Sequence, residues 1–417
     1  MPIDVRRIFS RLTSDASYSS EIAFRVLFAV ILAVACSISF FEITSWMFIV
    51  LAAWSVFVGR DLSRLKKPFV VLALIYLFFT LLSVTQSAYP TNSWRGVFKT
   101  LRNVLLFFAA VHVVDSKQRF RALFKWFLAV AVFIGLDAAA QGFFKRDLIA
   151  GRRMTPFQGD AKRLTGPFHH ANDFSAYLSL VIFLFLGVLL EARRIFSGRF
   201  ALFCQAGLLL VAFCLFGTYS RGAWLAVAIA FVLLATLKRS RIFAASLIVV
   251  VVWACFFSPP LVRDRLDSLR RGAGTVVERE ELWTQSMRMI RKSPWLGLGS
   301  NTYSKNQPHF RTHGTKVDDQ YAHNGYLQMG ADIGLLGLAA FLATLVVALT
   351  TALRAFLGSK DPFLRPAGIG LVCGITAFLL HSATDTNLQS ILLINLLWLA
   401  LGIMCAAARI ARGSTSS

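Results

Sequence analysis

Residues 390–408 read SILLINLLWLALGIMCAAA, without a single charge, and this stretch decides the class of fold. Wound as an α-helix at about 1.5 Å per residue, a run of this length crosses the ~30 Å hydrocarbon layer of a bilayer. Lipid offers no partner to backbone N–H and C=O groups, so such a segment satisfies them internally as a helix. The same pattern recurs toward the N-terminus, near residues 366–384, 325–353, 242–257, 222–237, 200–217, 173–190, 122–143, 97–114, 68–86, 43–58 and 22–41. The period-two alternation of barrel strands is absent. With 417 residues, 56% of them hydrophobic, the expected fold is an all-α integral membrane protein. It forms one polytopic domain over 1–417 with about 12 transmembrane helices. Residues 258–322 form a large, partly helical loop between the ninth and tenth spans.

Lys and Arg set the orientation. Arg6, Arg7 and Arg11 precede the first span, Arg60, Arg64 and Lys67 follow the second, and Lys117, Arg119 and Arg121 follow the fourth. Every even-numbered exit is basic, and these connections carry 22 of the 44 cations. Both termini are therefore expected in the cytoplasm, with an even span count. Another 21 cations lie on the opposite face, 11 of them in 258–322. Orientation does not account for charge on the translocated side; an anionic ligand held there does. The net charge of +23, divided over two faces, suits lipid phosphates inside and a phosphorylated ligand outside, and no nucleic acid. The first apolar run lacks a small-residue cleavage site and reads as a retained anchor. All six cysteines lie in apolar stretches without a C-x-x-C pair, which argues against disulfides and cysteine-rich zinc sites.

Three outer connections are longer than turns: Gln86–Leu101, Lys145–Asn172 and Ser258–Ala322. The longest retains Trp283, Met287, Ile290 and Trp295 at helical spacing, so it is expected to be ordered. None of the 11 prolines interrupts a span interior. The glycine- or proline-broken helix that transporters place at mid-membrane is accordingly not expected.

Gly217-Thr-Tyr-Ser-Arg221-Gly222 makes a tight outer turn, and Arg221 is the only charge between Phe200 and Leu237. A guanidinium at a helix junction carries a desolvation penalty, and its planar fork suits phosphate oxygens. The competing reading is a snorkelling arginine that anchors the span. In Thr275–Trp283, Arg279 shares a helical face with Trp283, Met287 and Ile290, while Arg288 and Lys292 fall on the far side. An ordinary surface helix with Glu/Arg pairing is the alternative. His323-Asn324 stands where the long loop enters the tenth span, and an imidazole is suited to take a proton from a sugar hydroxyl near neutral pH. A helix-capping or interfacial histidine is the plainer reading. His170-Ala-Asn172 occupies the equivalent place before the sixth span, as a secondary contact or a cap through Asn172, and Arg163 just before it is a candidate phosphate contact. His112 and His381 are expected to hydrogen-bond neighbouring helices. His309 and His313 are four apart but have no further ligand at metal spacing, so no metal site is expected. No P-loop, D-x-D or strand-borne G-x-G-x-x-G is present.

Tyr219-Ser-Arg221-Gly222, Glu278-Arg279 with Leu282-Trp283, Pro294-Trp-Leu-Gly-Leu-Gly299 and His323-Asn324-Gly325-Tyr326-Leu327 occur in this order on one face. In these motifs and in its topology the chain resembles the O-antigen ligase family, within the superfamily that also holds O-antigen polymerases and bacterial protein O-oligosaccharyltransferases. The resemblance implies transfer of O-antigen from undecaprenyl diphosphate to a sugar hydroxyl of lipid A-core, at the periplasmic face of the bacterial inner membrane, with neither metal nor cofactor. Carried over by motif, Arg221 and Arg279 hold the donor diphosphate, and Arg163, from the reading of the residues alone, is placed with them. His323 orients or activates the acceptor hydroxyl, with Asn324, His170 and Asn172 as secondary contacts. His170-Ala171-Asn172 departs from the His-Pro-Asn of many relatives. The alternatives are an O-antigen polymerase, a protein O-oligosaccharyltransferase and, from another class, a transporter of lipid-linked sugars, for which the mid-membrane charges Asp137 and Asp332 are few.

Overall fold

The computed structural model of the protein describes residues 14–65, 67–156, 162–189, 198–238, 275–311 and 321–413. The apolar stretch 242–257, residues 258–274 and 312–320 of the long loop, Cys255, His313 and the cations of the first 13 positions lie outside the described residues. Among the described residues, 11 helices are long and apolar enough to cross a membrane. They are α1 (Ala16–Cys36), α2 (Ile38–Gly59), α3 (Pro68–Leu82, which a 3-10 turn extends to Gln86), α4 (Pro90–Val113), α5 (Lys117–Phe144), α6 (Ala171–Leu189), α7 (Gly198–Gly217), α8 (Arg221–Lys238), α10 (Gly325–Gly358), α11 (Leu364–His381) and α12 (Ile391–Gly413). The amphipathic α9 (Thr275–Lys292) belongs to the long loop and is not one of them. Two short antiparallel strands, β1 (Thr155–Pro156) and β2 (Lys162–Arg163), form the only sheet among the described residues. The fold is the expected all-α membrane architecture.

The chargeless stretch at the C-terminus is the axis of the bundle. In α12, 89% of the apolar window is buried, and in α11 83%, against 28% in α7 and α8, which therefore face outward. Small residues let the central helices touch. A Cβ on Gly370 would lie 2.4 Å from Phe183 O, and one on Gly374 2.3 Å from Leu180 O, so α11 and α6 approach backbone to backbone along a four-residue repeat. Gly402 of α12 sits in the same way against Phe107 O of α4, at 2.7 Å. Trp398 stacks on Tyr76 with ring centroids 5.7 Å apart, tying α12 to α3.

Three boundaries differ from the sequence reading, each for a local reason. The first two helices separate at Ser37, not near Glu42, because Ser37 is extended and its Oγ caps α2 by accepting from Phe40 N at 3.1 Å. Glu42 lies inside α2 and accepts a 2.6 Å bond from Arg102. The connection read over Gln86–Leu101 is mostly helix, since α4 starts at Pro90, a residue suited to a first turn. Its polar face meets the long loop: Lys99 Nζ donates to Asn301 Oδ1 at 3.0 Å, and Gly96 leaves room for Ser300.

The third difference is a break in α10. Gly334 has φ 72° and ψ 177°, so a broken helix is present after all, made by glycine and not by proline. The segment Pro294–Gly299 fills the break. Leu298 N and Gly299 N each donate at 2.9 Å to Ala331 O and Asp332 O, while Leu335 N donates to Pro294 O at 2.7 Å. Asp332 also accepts from Thr302 N at 3.1 Å, and Asp137 accepts from Leu148 N at 2.7 Å. Both mid-membrane aspartates thus brace outer loops. The glycines of Pro294-Trp-Leu-Gly-Leu-Gly299 have a matching reason: a Cβ on Gly297 would lie 2.5 Å from Asp332 O.

Candidate active site

The turn between α7 and α8 begins the site. Tyr219 is left-handed (φ 51°), which lets the chain reverse between Thr218 and Ser220 so that α8 starts with Arg221. Gly222 lies flush against the loop after α11, because a Cβ there would meet Thr384 Oγ1 at 2.2 Å. On the other side, α9 docks on the outer segment of α10 through a small core of Met289, Ile290, Tyr303, Ala322 and Ala331. The Ser286 and Tyr303 hydroxyls share a hydrogen bond of 2.9 Å. This docking turns Arg279 and Leu282 inward. The buried stripe of α9 runs through Leu282, Gln285, Ser286, Met289 and Ile290, whereas Met287, expected on it, is 40% exposed. Arg288 and Lys292 are exposed as expected.

His323 is also left-handed (φ 48°) and precedes Asn324, whose Oδ1 caps α10 by accepting from Tyr326 N and Leu327 N at 3.1 Å each. Gly325 N donates to Ser382 O at 2.8 Å and to Asp385 O at 3.0 Å, which clips the His323 turn to the loop between α11 and α12. His323 Nδ1 consequently lies 3.6 Å from Asp385 Oδ1, and Arg279 Nη2 lies 3.7 Å from Asp385 Oδ2. The Asp385 side chain is 5% exposed. Asn172 Nδ2 donates to Asp385, Arg163 Nη2 donates to Asn172 Oδ1, and Arg163 Nε donates to Thr218 O. Asn172 is thus a bridge in this network and not the cap of α6.

These residues line one cavity of about 220 Å³, together with Tyr219, Ser220, Glu278 and His381. Burial pushes the Asp385 carboxyl upward, but the adjacent His323, His381 and Arg279 outweigh it and hold it below the usual carboxylate range. Arg163 is pushed down to about 10, by burial and by Arg279, against the pull of Asp385. Three guanidinium groups therefore face one buried carboxylate and an exposed Glu278 at the rim, which leaves the cavity net positive. Such a lining is chemically suited to an anion of higher charge, and the His323–Asp385 pair beside it sets an imidazole nitrogen against a carboxylate. Catalytic contacts of this kind are often long before substrate binds.

Of the residues predicted from sequence, Arg163, Asn172, Arg221, Arg279 and His323 come together here. His170 is exposed and stands off the cavity, and Asn324 is engaged in its cap. His381, expected to hydrogen-bond a neighbouring helix, has Nε2 3.4 Å from Ser220 Oγ at the head of α8, and it lines the cavity as well. His112 does bond a neighbouring helix, its Nε2 3.0 Å from Ser55 Oγ. Sequence reasoning missed Asp385, yet it is the only charge between Pro366 and Ala408. The criterion that singled out Arg221 would have found it.

Residues 206–342 match the family model described as O-antigen ligase. No curated protein matches the chain. The chain is thus a multi-pass membrane protein similar over that window to O-antigen ligases, in agreement with its motifs. The window contains Arg221, Arg279 and His323, while Arg163, Asn172, His381 and Asp385 complete the cavity from outside it.

Proposed function

We propose that the protein is a glycosyltransferase that ligates O-antigen from undecaprenyl diphosphate to a sugar hydroxyl of lipid A-core, at the periplasmic face of the inner membrane, with both termini in the cytoplasm. The observation that carries this reading is the convergence of Arg163, Arg221 and Arg279 on one cavity beside His323. Arg221 and Arg279 hold the donor diphosphate, and Arg163 adds positive charge behind them. As the bond from the anomeric carbon to the phosphate oxygen breaks, negative charge grows on the diphosphate, where preorganised guanidinium groups stabilise it. His323 takes the proton of the acceptor hydroxyl as its oxygen bonds to the anomeric carbon, and Asp385 stabilises the resulting imidazolium. A base of this kind contributes about 10²–10⁴ in rate.

The test replaces Arg221, Arg279 and His323 singly with Ala at equal expression and resolves the lipopolysaccharide on gels. The expected result is bare core with lipid-linked polymer accumulating. Core bearing a single repeat would indicate a polymerase instead, and loss of glycoproteins a protein O-oligosaccharyltransferase. Long-chain ladders at normal levels in all three variants would remove the assignment.

A further inference from the structure

The loop that follows α5 is built around buried anchors. Asp137 Oδ1 accepts from Leu148 N at 2.7 Å and Ile149 N at 3.1 Å. Asp147, 2% exposed, accepts from Ala150 N and Arg152 N. Gln141, fully buried, donates to Arg152 O at 3.2 Å and accepts from Thr165 N at 3.0 Å. Arg146 pairs with Arg153 across an antiparallel bridge. Both aspartates are thereby committed to backbone N–H groups, and the cations of the loop are turned outward.

Lys145, Arg146 and Arg153 are exposed and Arg152 half-buried, and among the described residues none of the four makes an ion pair. Phe143 is 82% exposed, and Phe144 and Leu148 are each 67% exposed, on the same stretch at the end of a membrane helix. Apolar rings followed directly by cations suit the boundary between acyl chains and headgroups. A general lipid anchor would need no link to the cavity, and this loop is joined to the cavity wall. Thr155, two residues beyond Arg153, pairs with Arg163 of the cavity wall. Leu164 N donates to Gly217 O at 2.9 Å, and Arg152 Nη2 lies 3.3 Å from His169 Nε2.

We propose that residues 143–153 are the docking surface for the phosphorylated headgroup of the acceptor glycolipid. Lys145, Arg146, Arg152 and Arg153 grip a phosphomonoester, and Phe143, Phe144 and Leu148 enter the acyl region. The inference rests on the function proposed above, in which the acceptor is lipid-anchored and phosphorylated. Arginine forks match phosphate oxygens, and rigid anchoring of the loop holds them in register with the cavity. It also separates the two substrates: the donor diphosphate sits on Arg221 and Arg279, and the acceptor phosphate on the loop after α5.

The experiment uses the full chain in phosphatidylcholine nanodiscs and measures binding of bis-phosphorylated lipid A-core and of its dephosphorylated counterpart. Each juxtamembrane cation contributes roughly fivefold to the affinity for an anionic headgroup. Arg146→Glu/Arg153→Glu is therefore expected to weaken the phosphorylated lipid by at least about tenfold. Binding of the dephosphorylated lipid and of undecaprenyl diphosphate should stay at wild-type level, with Arg146→Gln/Arg153→Gln giving a smaller effect in the same direction. An equal loss for both lipids, or none, would overturn the assignment, as would phosphatidylglycerol competing as well as the phosphorylated glycolipid. A wild type with this phosphate-dependent binding that transfers no glycan would overturn the function proposed above and leave the docking surface standing.

Discussion

Gly334→Ala tests the joint on which the site is mounted. With φ 72° and ψ 177°, Gly334 occupies backbone space that is essentially glycine-only. An alanine there costs about 1–3 kcal/mol in dihedral strain alone. Its Cβ would also fall 2.2 Å from Trp295 O, a backbone atom that moves only if Pro294–Gly299 withdraws. Withdrawal breaks four backbone hydrogen bonds, those of Leu298, Gly299, Leu335 and Leu336. At about 1 kcal/mol each, the sum approaches roughly 5–7 kcal/mol, comparable with the whole net stability of many domains. The chain relieves the strain by letting the 294–299 segment undock, and α9, which ends at Lys292, loosens with it. Arg279 then loses its place against Asp385. The assay is hydrogen exchange at Leu298 and Leu335 in nanodiscs, paired with thermal unfolding and glycan transfer. Protection should fall by two orders of magnitude or more and transfer should drop sharply. Gly358→Ala, which meets nothing within 4 Å, is the control and should change neither. Wild-type exchange and melting temperature in Gly334→Ala would refute the reasoning.

Asp385→Asn keeps the shape and removes the charge between His323 and Arg279; transfer should fall by about 10²–10⁴ while donor affinity holds or rises, as steady-state kinetics would show. The same carboxylate predicts a pH effect. Its folded pKa lies below the unfolded value of ~3.9, so its stabilisation is present above about pH 4–5 and is lost as pH falls further. Melting temperature between pH 6 and 3 should therefore drop more steeply in the wild type than in Asp385→Asn. Gly222→Ala should impair transfer at normal expression, because the new methyl meets Thr384 Oγ1; adding Thr384→Ala removes that atom and should restore part of the activity.

The architecture was legible because lipid leaves few options. An apolar run long enough to span must be a helix, and eleven such runs are helices among the described residues. Boundaries were less legible wherever a polar side chain acted inside a helix. Glu42 looked like an end, yet it answers Arg102; Arg95 and Lys99 looked like loop, yet their helix turns Lys99 toward Asn301 of the long loop. In both cases the partner lies far away in sequence, 60 and 202 positions off, beyond the reach of any local pattern. The break at Gly334 escaped for the same reason. A glycine in an apolar run is unremarkable until Pro294–Gly299 is seen to supply the hydrogen bonds that the helix gives up.

The site divides along a similar line. Arg221, Arg279 and His323 stood out because each carries chemistry that its surroundings do not need. Asp385 met the same criterion, as a lone charge between Pro366 and Ala408, and was passed over because no motif surrounded it. His381 was half legible: its bond to Ser220 at the head of α8 is the helix-to-helix contact expected of it, and only its place in the cavity lining adds to that reading. The residues that resemble a family are thus those that would touch the substrates, while Arg163, Asn172 and Asp385, which surround them, come from two loops and the first turn of α6, brought in by packing. A guanidinium can be recognised alone. A carboxylate that holds a histidine in position has meaning only once the two are 3.6 Å apart.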